Sequence, residues 1–158
     1  MRFQRILAAH GPGVILMIRL LVGGVFFLEG MKKFIFVEQW GAGRFARIGI
    51  PAPGIMGPFV GVVEIVCGFL ILAGLLTRFA SIPLLINICV AIATTKIPIL
   101  LRSGFWPMEA EARTDYSMLM GLLFLVLAGA GSWSVDARLT RKTRGSNAKS
   151  TSKLPEGK

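Results

Sequence analysis

The chain has 158 residues, of which 54% are hydrophobic and 16% are charged, and its formal net charge is +10. Soluble domains carry about 25% charged residues, whereas a mean hydropathy of +0.68 and 19 glycines are typical of packed membrane helices. This composition predicts an integral membrane protein, and it excludes soluble nucleotide-binding folds, β-sandwiches and nucleic-acid-binding modules.

Apolar windows along the chain predict an all-α membrane protein, a four-transmembrane-helix bundle. A membrane span needs about 20 mostly apolar residues. The windows that satisfy this lie at about 14–36, 55–76, 79–101 and 116–135. They leave no room for a separate soluble domain. We therefore divide the chain into an N-terminal segment (1–13), a membrane domain (14–136) and a C-terminal tail (137–158).

The first window is interpreted as a signal anchor. Arg2 and Arg5 provide the basic start of a signal peptide, but Arg19 interrupts the apolar run, and no cleavage site of small residues follows cleanly. We therefore expect this segment to stay in the protein as a span.

The connections between the windows differ in length. Only Thr77 and Arg78 join the second and third windows, which predicts a tight antiparallel hairpin. The outer loops, predicted at 37–54 and 102–115, are longer. Each holds a tryptophan suited to the interfacial aromatic belt, Trp40 in the first and Trp106 in the second.

The C-terminal tail predicts the orientation in the membrane. Residues 137–158 hold seven Lys and Arg against one acid, Glu156. With so few aliphatic side chains, we expect the tail to be disordered and to face anionic lipid. Arg2, Arg5 and Arg78 bring the basic residues on its side to ten, against at most seven on the other side. The positive-inside rule therefore predicts that both termini are cytoplasmic.

Glu64 is the ionisable residue that most needs an explanation. It lies near the middle of an otherwise apolar window, where an ionisable group costs several kcal/mol unless it is paired or hydrated. It is either protonated or ionised beside a cation from another helix. As a catalytic residue it would exchange protons with a lipophilic redox ligand or a transported ion. The alternative is a structural salt bridge.

Other charges fall near the same level and suggest a buried polar network that binds a ligand. Three acids and three bases, Glu64 among them, gather in the outer half of the bundle and sum to zero charge, as burial requires. With Arg19, which lies nearer the cytoplasmic side, the candidate ligand-binding residues are Arg19, Glu29, Lys32, Lys33, Lys96 and Asp115. Structural alternatives stay open. Lys32 and Lys33 suit an interfacial position or a pair with Glu29, and Arg19 suits a bond to backbone carbonyls.

The two cysteines, Cys67 and Cys89, are symmetric about position 78. Antiparallel helices would hold them at one depth, where a redox pair is possible, although free cysteines are commonly plain buried apolar residues. His10 is the one histidine and lies outside the windows, so we expect no haem and no metal site. Gly57 and Gly61 form a G-x-x-x-G motif for close helix packing.

Short motifs in order along the chain resemble the DoxX family of small four-helix membrane proteins. The resemblance covers about residues 18–139. Its motifs are Arg19 to Gly23, Phe26 to Lys33, Phe45 to Pro53, Gly61-x-x-Glu64-x-x-x-Gly68, Gly74 to Ala80 and Gly129 to Asp136. The family takes its name from a subunit linked to thiosulfate:quinone oxidoreduction. The resemblance implies a DoxX-like membrane domain in a multi-pass protein of the bacterial cytoplasmic (inner) membrane, and it assigns no catalytic residue.

Three functions are compatible with this sequence. The first is a quinone-linked redox subunit, with quinone as the ligand and a soluble or membrane protein as the redox partner. The second is an assembly or scaffold subunit whose charges are purely structural. The third is a small proton-coupled transporter centred on Glu64. We expect contact with membrane lipids and no nucleic-acid partner, and a homo-oligomer is compatible with all three.

Overall fold

The computed structural model describes residues 12–138, and this part of the chain is all helical, with no β-strand. The predicted N-terminal segment (1–13) and the predicted basic tail (137–158) lie almost wholly outside these residues, and so does His10.

Four long helical segments and two short helices make up the described chain. In chain order the elements are α1 (Pro12–Ile35), α2 (Val37–Trp40), α3 (Ala42–Arg47), α4 (Pro53–Ala73), α5 (Thr77–Ala91), a π-helical turn (Ile92–Lys96), α6 (Ile97–Ser103) and α7 (Phe105–Ala128). The π-helical turn joins α5 and α6 into one continuous helix. Within residues 12–138, three segments are long and apolar enough to cross a membrane: Gly13–Ile35, Pro53–Ala73 and Thr77–Ser103.

The fourth window differs most from its prediction. The span predicted at 116–135 is part of α7, which begins at Phe105 and ends at Ala128, where Gly129 has a positive φ of 78°. The prediction of an outer loop at 102–115 is therefore wrong. This stretch is helical because its charged residues are good helix formers and Pro107 is tolerated in a first helical turn. Because of these charges, α7 is not one of the three segments that are long and apolar enough to cross a membrane.

The two other connections also differ in detail. The turn between the second and third spans is Gly74–Leu76, with φ of 70° at Gly74 and 50° at Leu76. Thr77 and Arg78, predicted to be the turn, are instead the first residues of α5. The outer loop predicted at 37–54 contains the short helices α2 and α3.

The long helices alternate in direction. Glycines set the closest contact, between α1 and α4: Gly23 lies against Gly68, and Gly30 lies against Gly61. Because the lower number on one helix meets the higher number on the other, α1 and α4 are antiparallel. Ion pairs between the π-helical turn and the first half of α7 indicate the same for α5 and α7.

The bundle therefore has two distinct ends. The hairpin end holds the turn Gly74–Leu76 and the residues that follow α7. The opposite end is covered by residues 36–52, which we call the cap segment, and is called the cap end. Between them lies an apolar core that includes Val22, Ile71 and Leu122, each fully buried.

Large apolar side chains also cover the outside of the bundle. Met17, Phe79, Leu101, Trp106 and Leu127 are each more than 70% exposed. A soluble protein seldom shows so much apolar surface. A surface of this kind suits contact with lipid.

Candidate functional site

Glu64 lies at a junction of three helices. It projects from α4, with 4% of its surface exposed. Its Oε2 atom is 2.5 Å from the Nζ atom of Lys33 on α1. Its Oε1 atom accepts a hydrogen bond of 2.7 Å from the Nδ2 atom of Asn87 on α5. Both carboxylate oxygens therefore have a donor, and the buried charge is paired and hydrogen-bonded.

The sequence explains why Lys33 reaches Glu64. Gly30 and Gly61 bring α1 and α4 together beside the pair, because a Cβ on Gly30 would lie 2.7 Å from the backbone oxygen of Gly61. Helical side chains lean toward the N-terminus of their own helix. In an antiparallel pair, Lys33 leans away from the cap end and Glu64 leans toward it, so the two side chains meet between their backbones.

A cavity of about 390 Å³ opens beside this group at the cap end. Apolar residues from the long helices form much of its wall, including Val25, Phe26, Val60, Ile88 and Met118. Its ionisable lining residues are Glu29, Lys33, Arg44, Glu64, Lys96, Glu111 and Asp115. The cavity therefore combines an apolar wall with a small number of placed charges, which is how small-molecule sites are usually built.

A second group of charges lines the cavity from the π-helical turn and α7. Lys96, at the end of the π-helical turn, is 7% exposed. Its Nζ atom is 3.2 Å from Asp115 Oδ2 and 3.8 Å from Glu111 Oε2, both on α7. Short π-helical turns inside α-helices are frequent at functional sites, because they change the side on which the following residues project.

The cap segment closes part of the cavity from the outside. Trp40, Arg44, Phe45, Ile48 and Ile50 from this segment line it. The Arg44 guanidinium lies 5.3 Å from the centre of a Trp40 ring, within the range of a cation–π contact.

The predicted charge-balanced set separates into three ion pairs. Besides Glu64 with Lys33 and Asp115 with Lys96, Lys32 Nζ is 2.5 Å from Glu29 Oε1, one helical turn away on α1. Glu29 lines the cavity, whereas Lys32 stands outside its lining. The predicted residues other than Arg19 thus gather at the cap end.

Arg19 does not join this group. It is 2% exposed and binds the hairpin end. Its Nε donates to the Ile71 carbonyl (2.8 Å) and its Nη2 to that of Leu72 (2.6 Å). Its Nη1 donates to the carbonyls of Ala130 (3.2 Å) and Trp133 (2.7 Å). Arg19 therefore connects the last carbonyls of α4 to the segment after α7, which matches the structural alternative.

The two cysteines are both free thiols in the structure. Cys67 is buried in the core, and Cys89 is exposed on the outer surface of α5. The two side chains do not face one common environment, so the structure does not bring them together as a pair. Within residues 12–138 there is also no group of three or more His, Cys, Asp or Glu side chains that could hold a metal ion.

Among the charged and amide side chains of the cavity, three were not predicted from the sequence: Asn87, Arg44 and Glu111. Asn87 has a recognisable signal, since an amide in an apolar span needs a partner, as an ionisable side chain does. Arg44 and Glu111 lay in predicted loops. Their place at the cavity depends on the cap segment and on the early start of α7.

Two family models match the chain. The model of the DoxX family matches residues 14–97. The chain belongs to the DoxX family. The model described as the TQO small subunit DoxD also matches this DoxX protein, at residues 56–157. It is thus a helical, multi-pass membrane protein related to small subunits of quinone oxidoreductases.

Two relatives resemble this DoxX protein over most of its length. It is 50% identical over 153 residues to the uncharacterized membrane protein Rv3486 of Mycobacterium tuberculosis, covering 93% of this chain and 94% of that one. It is 28% identical over 121 residues to CatD of Bacillus subtilis, whose name proposes an oxidoreductase, covering 77% and 83%. No solved structure matches the chain significantly.

Proposed function

We propose that this DoxX protein is a quinone-linked, redox-associated membrane subunit that binds a quinone head group in the cavity at the cap end. The observation that carries the proposal is the buried group of Lys33, Glu64 and Asn87 on the wall of a partly apolar cavity. A quinone needs an apolar slot for its ring and a hydrogen-bond donor at a carbonyl oxygen. It also needs a side chain that can exchange protons during reduction.

Each member of the group has a role in this proposal. The Lys33 ammonium has three N–H donors, of which one is directed at Glu64. The other donors are available to a quinone carbonyl oxygen. Glu64 holds Lys33 in place and exchanges the proton, while Asn87 orients the Glu64 carboxylate.

The electrons come from a partner protein in this proposal. Reduction of a quinone to a quinol takes two electrons and two protons, and the groups above handle protons only. The relation to a family described as a small subunit supports a partner that supplies the electrons.

The proposal includes an arrangement in the membrane. We infer that α7 is the fourth span, so that residues 14–136 form a four-helix membrane domain. Its 24 residues correspond to about 36 Å at 1.5 Å per residue, enough to cross a hydrocarbon core of about 30 Å. Both termini then lie on the cytoplasmic side of the bacterial inner membrane, and the cavity opens on the other side. The basic residues near the termini support this orientation.

A specific observation favours a second candidate, an assembly or scaffold subunit. Both oxygens of Glu64 already have donors within the chain, and Lys96 has carboxylates beside it. Charges that satisfy one another can hold helices in register without any ligand. This candidate predicts that neutralising Glu64 lowers the yield of the complex and changes no ligand binding.

The experiment compares two carboxamide variants of the protein purified in mild detergent. Glu64→Gln changes the buried carboxylate, and Glu111→Gln is the matched control, because Glu111 lines the same cavity but is 66% exposed. A short-chain quinone is titrated against each protein, and the retained quinone is measured by native mass spectrometry. Loss of the charge-assisted hydrogen bond that holds Lys33 in place predicts about tenfold or more weaker retention for Glu64→Gln and little change for Glu111→Gln.

The outcomes separate the two candidates. Equal retention by wild type and Glu64→Gln contradicts the role given to Glu64. Absence of quinone from the wild type, with a lower yield of a co-purifying complex for Glu64→Gln, favours the scaffold. Glu64→Gln leaves the Lys33 charge buried without its partner. If this variant does not fold, the double variant Lys33→Gln/Glu64→Gln replaces it in the same retention measurement.

A further inference from the structure

The cap segment carries a cation that has no oxygen partner among residues 12–138. Three cations line the cavity, and two of them, Lys33 and Lys96, are paired with carboxylates. Arg44 is the third. Among residues 12–138 it has no carboxylate within ion-pair distance and no side-chain hydrogen bond, and its contact is with the Trp40 ring.

A neighbouring arginine shows the contrast. Arg47 is one helical turn away on α3, and its Nη1 and Nη2 atoms donate to the backbone carbonyls of Glu38 (2.8 Å) and Gln39 (2.9 Å). Arg47 therefore holds the cap segment together. Arg44 is half-buried, and its five N–H donors have no such carbonyl. None of its side-chain nitrogen atoms is both buried and without a partner, so these donors are open to an acceptor from outside the described residues.

The surroundings of Arg44 indicate the chemistry of that acceptor. A planar guanidinium matches the paired oxygens of a phosphate. Lys32, which is paired with Glu29, brings a second cation to the same ring, with its Nζ atom 5.5 Å from the Trp40 ring centre. Exposed apolar side chains continue from this point along the end of α1 and into α2, namely Phe34, Ile35, Phe36 and Val37. Tryptophan beside arginine and an apolar surface is typical of the level of lipid head groups.

We propose that Arg44, with Trp40 and Lys32, binds the phosphate group of an anionic lipid at the mouth of the cavity. The phosphate accepts hydrogen bonds from the Arg44 guanidinium, and the acyl chains lie along the exposed apolar residues outside the bundle. This site is separate from the group around Glu64, which belongs to α1, α4 and α5, and it does not depend on what the cavity binds. The lipid head group then forms part of the cavity entrance.

The experiment measures lipid retention by three proteins. Wild type, Arg44→Gln and Arg102→Gln are exchanged into mixed micelles of phosphatidylglycerol and phosphatidylcholine, and bound lipids are counted by native mass spectrometry. Arg102→Gln is the matched control for charge, because Arg102 is an exposed arginine of α6 at the same end and stands outside the cavity lining. We expect Arg44→Gln to retain phosphatidylglycerol about tenfold less well and Arg102→Gln to match the wild type.

A second measurement distinguishes a lipid from free phosphate. In a Trp106→Phe/Trp133→Phe background, Trp40 is the remaining tryptophan, and its emission is followed during titration with phosphatidylglycerol or with inorganic phosphate. A response to the lipid alone, abolished by Arg44→Gln, supports the proposal. A response to inorganic phosphate at equal strength reassigns the site to a soluble anion. Equal lipid retention by Arg44→Gln and Arg102→Gln overturns the proposal.

Discussion

The contact between α1 and α4 depends on glycines, and two neighbouring glycines of α1 provide a matched test. A Cβ added at Gly23 would lie 2.9 Å from the backbone oxygen of Gly68 and 3.0 Å from Leu72 Cγ. A Cβ added at Gly24 would meet nothing within 4 Å. Gly23→Ala and Gly24→Ala therefore make the same chemical change at adjacent positions, with and without a neighbouring backbone.

The expected cost follows from these distances. Because ordinary contacts of a Cβ begin at about 3.4 Å, Gly23→Ala must push the helices apart by a few tenths of an ångström. Overpacking of this kind costs about 1–3 kcal/mol, offset by about 0.5–1 kcal/mol from the better helix propensity of alanine. We expect a net loss of about 0–2.5 kcal/mol for Gly23→Ala, which leaves it about 1–3 kcal/mol less stable than Gly24→Ala because both variants share the propensity gain. Gly24→Ala should be neutral or slightly stabilising.

The assay is thermal unfolding in one mild detergent, with the unfolding midpoints of the two variants compared directly. Gly68→Ala serves as the partner variant, because its Cβ would lie 2.8 Å from the Phe27 backbone nitrogen. Since either substitution alone separates the same helices, the double variant Gly23→Ala/Gly68→Ala should cost less than the sum of the single losses. Equal midpoints for Gly23→Ala and Gly24→Ala would refute the reasoning.

Two further predictions concern the buried charges. Arg19→Lys keeps the charge but cannot bond four carbonyls at once. We therefore expect it to lower the unfolding midpoint, while quinone retention per folded protein stays at the wild-type level. A midpoint equal to that of the wild type would contradict the structural role of Arg19. Lys33→Met leaves Glu64 buried without its cation, so it should destabilise the protein by about 3–5 kcal/mol. The double variant Lys33→Met/Glu64→Leu should be more stable than Lys33→Met, because it leaves no unpaired buried charge. The reverse order in the same unfolding assay would show that the unpaired Glu64 is not what destabilises Lys33→Met.

The sequence was sufficient to predict which residues need partners. An ionisable side chain in a long apolar window has few ways to be satisfied, so Glu64, Lys33 and Lys96 could be chosen from their positions alone. The zero sum of the six charges also survives in the structure, as three ion pairs. Of the four apolar windows predicted as spans, three match helices that are long and apolar enough to cross a membrane, to within a few residues.

Only the tertiary structure decided which charged side chains pair with one another. Glu29 is close to both Lys32 and Lys33 in sequence, but the approach of α1 and α4 at Gly30 and Gly61 takes Lys33 to Glu64. From the sequence, Arg19 is one more charge within a membrane span. Its bonds to the carbonyls at the end of α4 exist only in the folded chain, where α1 and α4 pack together.

The cavity shows the same division. Length, hydropathy and glycine content determine that this chain is a bundle of membrane helices, because apolar windows of that length have no other stable arrangement in a bilayer. The cavity wall depends on the early start of α7 and on the fold of the cap segment, which bring Glu111 and Arg44 to the same space. Such contacts join residues far apart in sequence, so the physical reason for them lies in helix packing and not in any local pattern of residues.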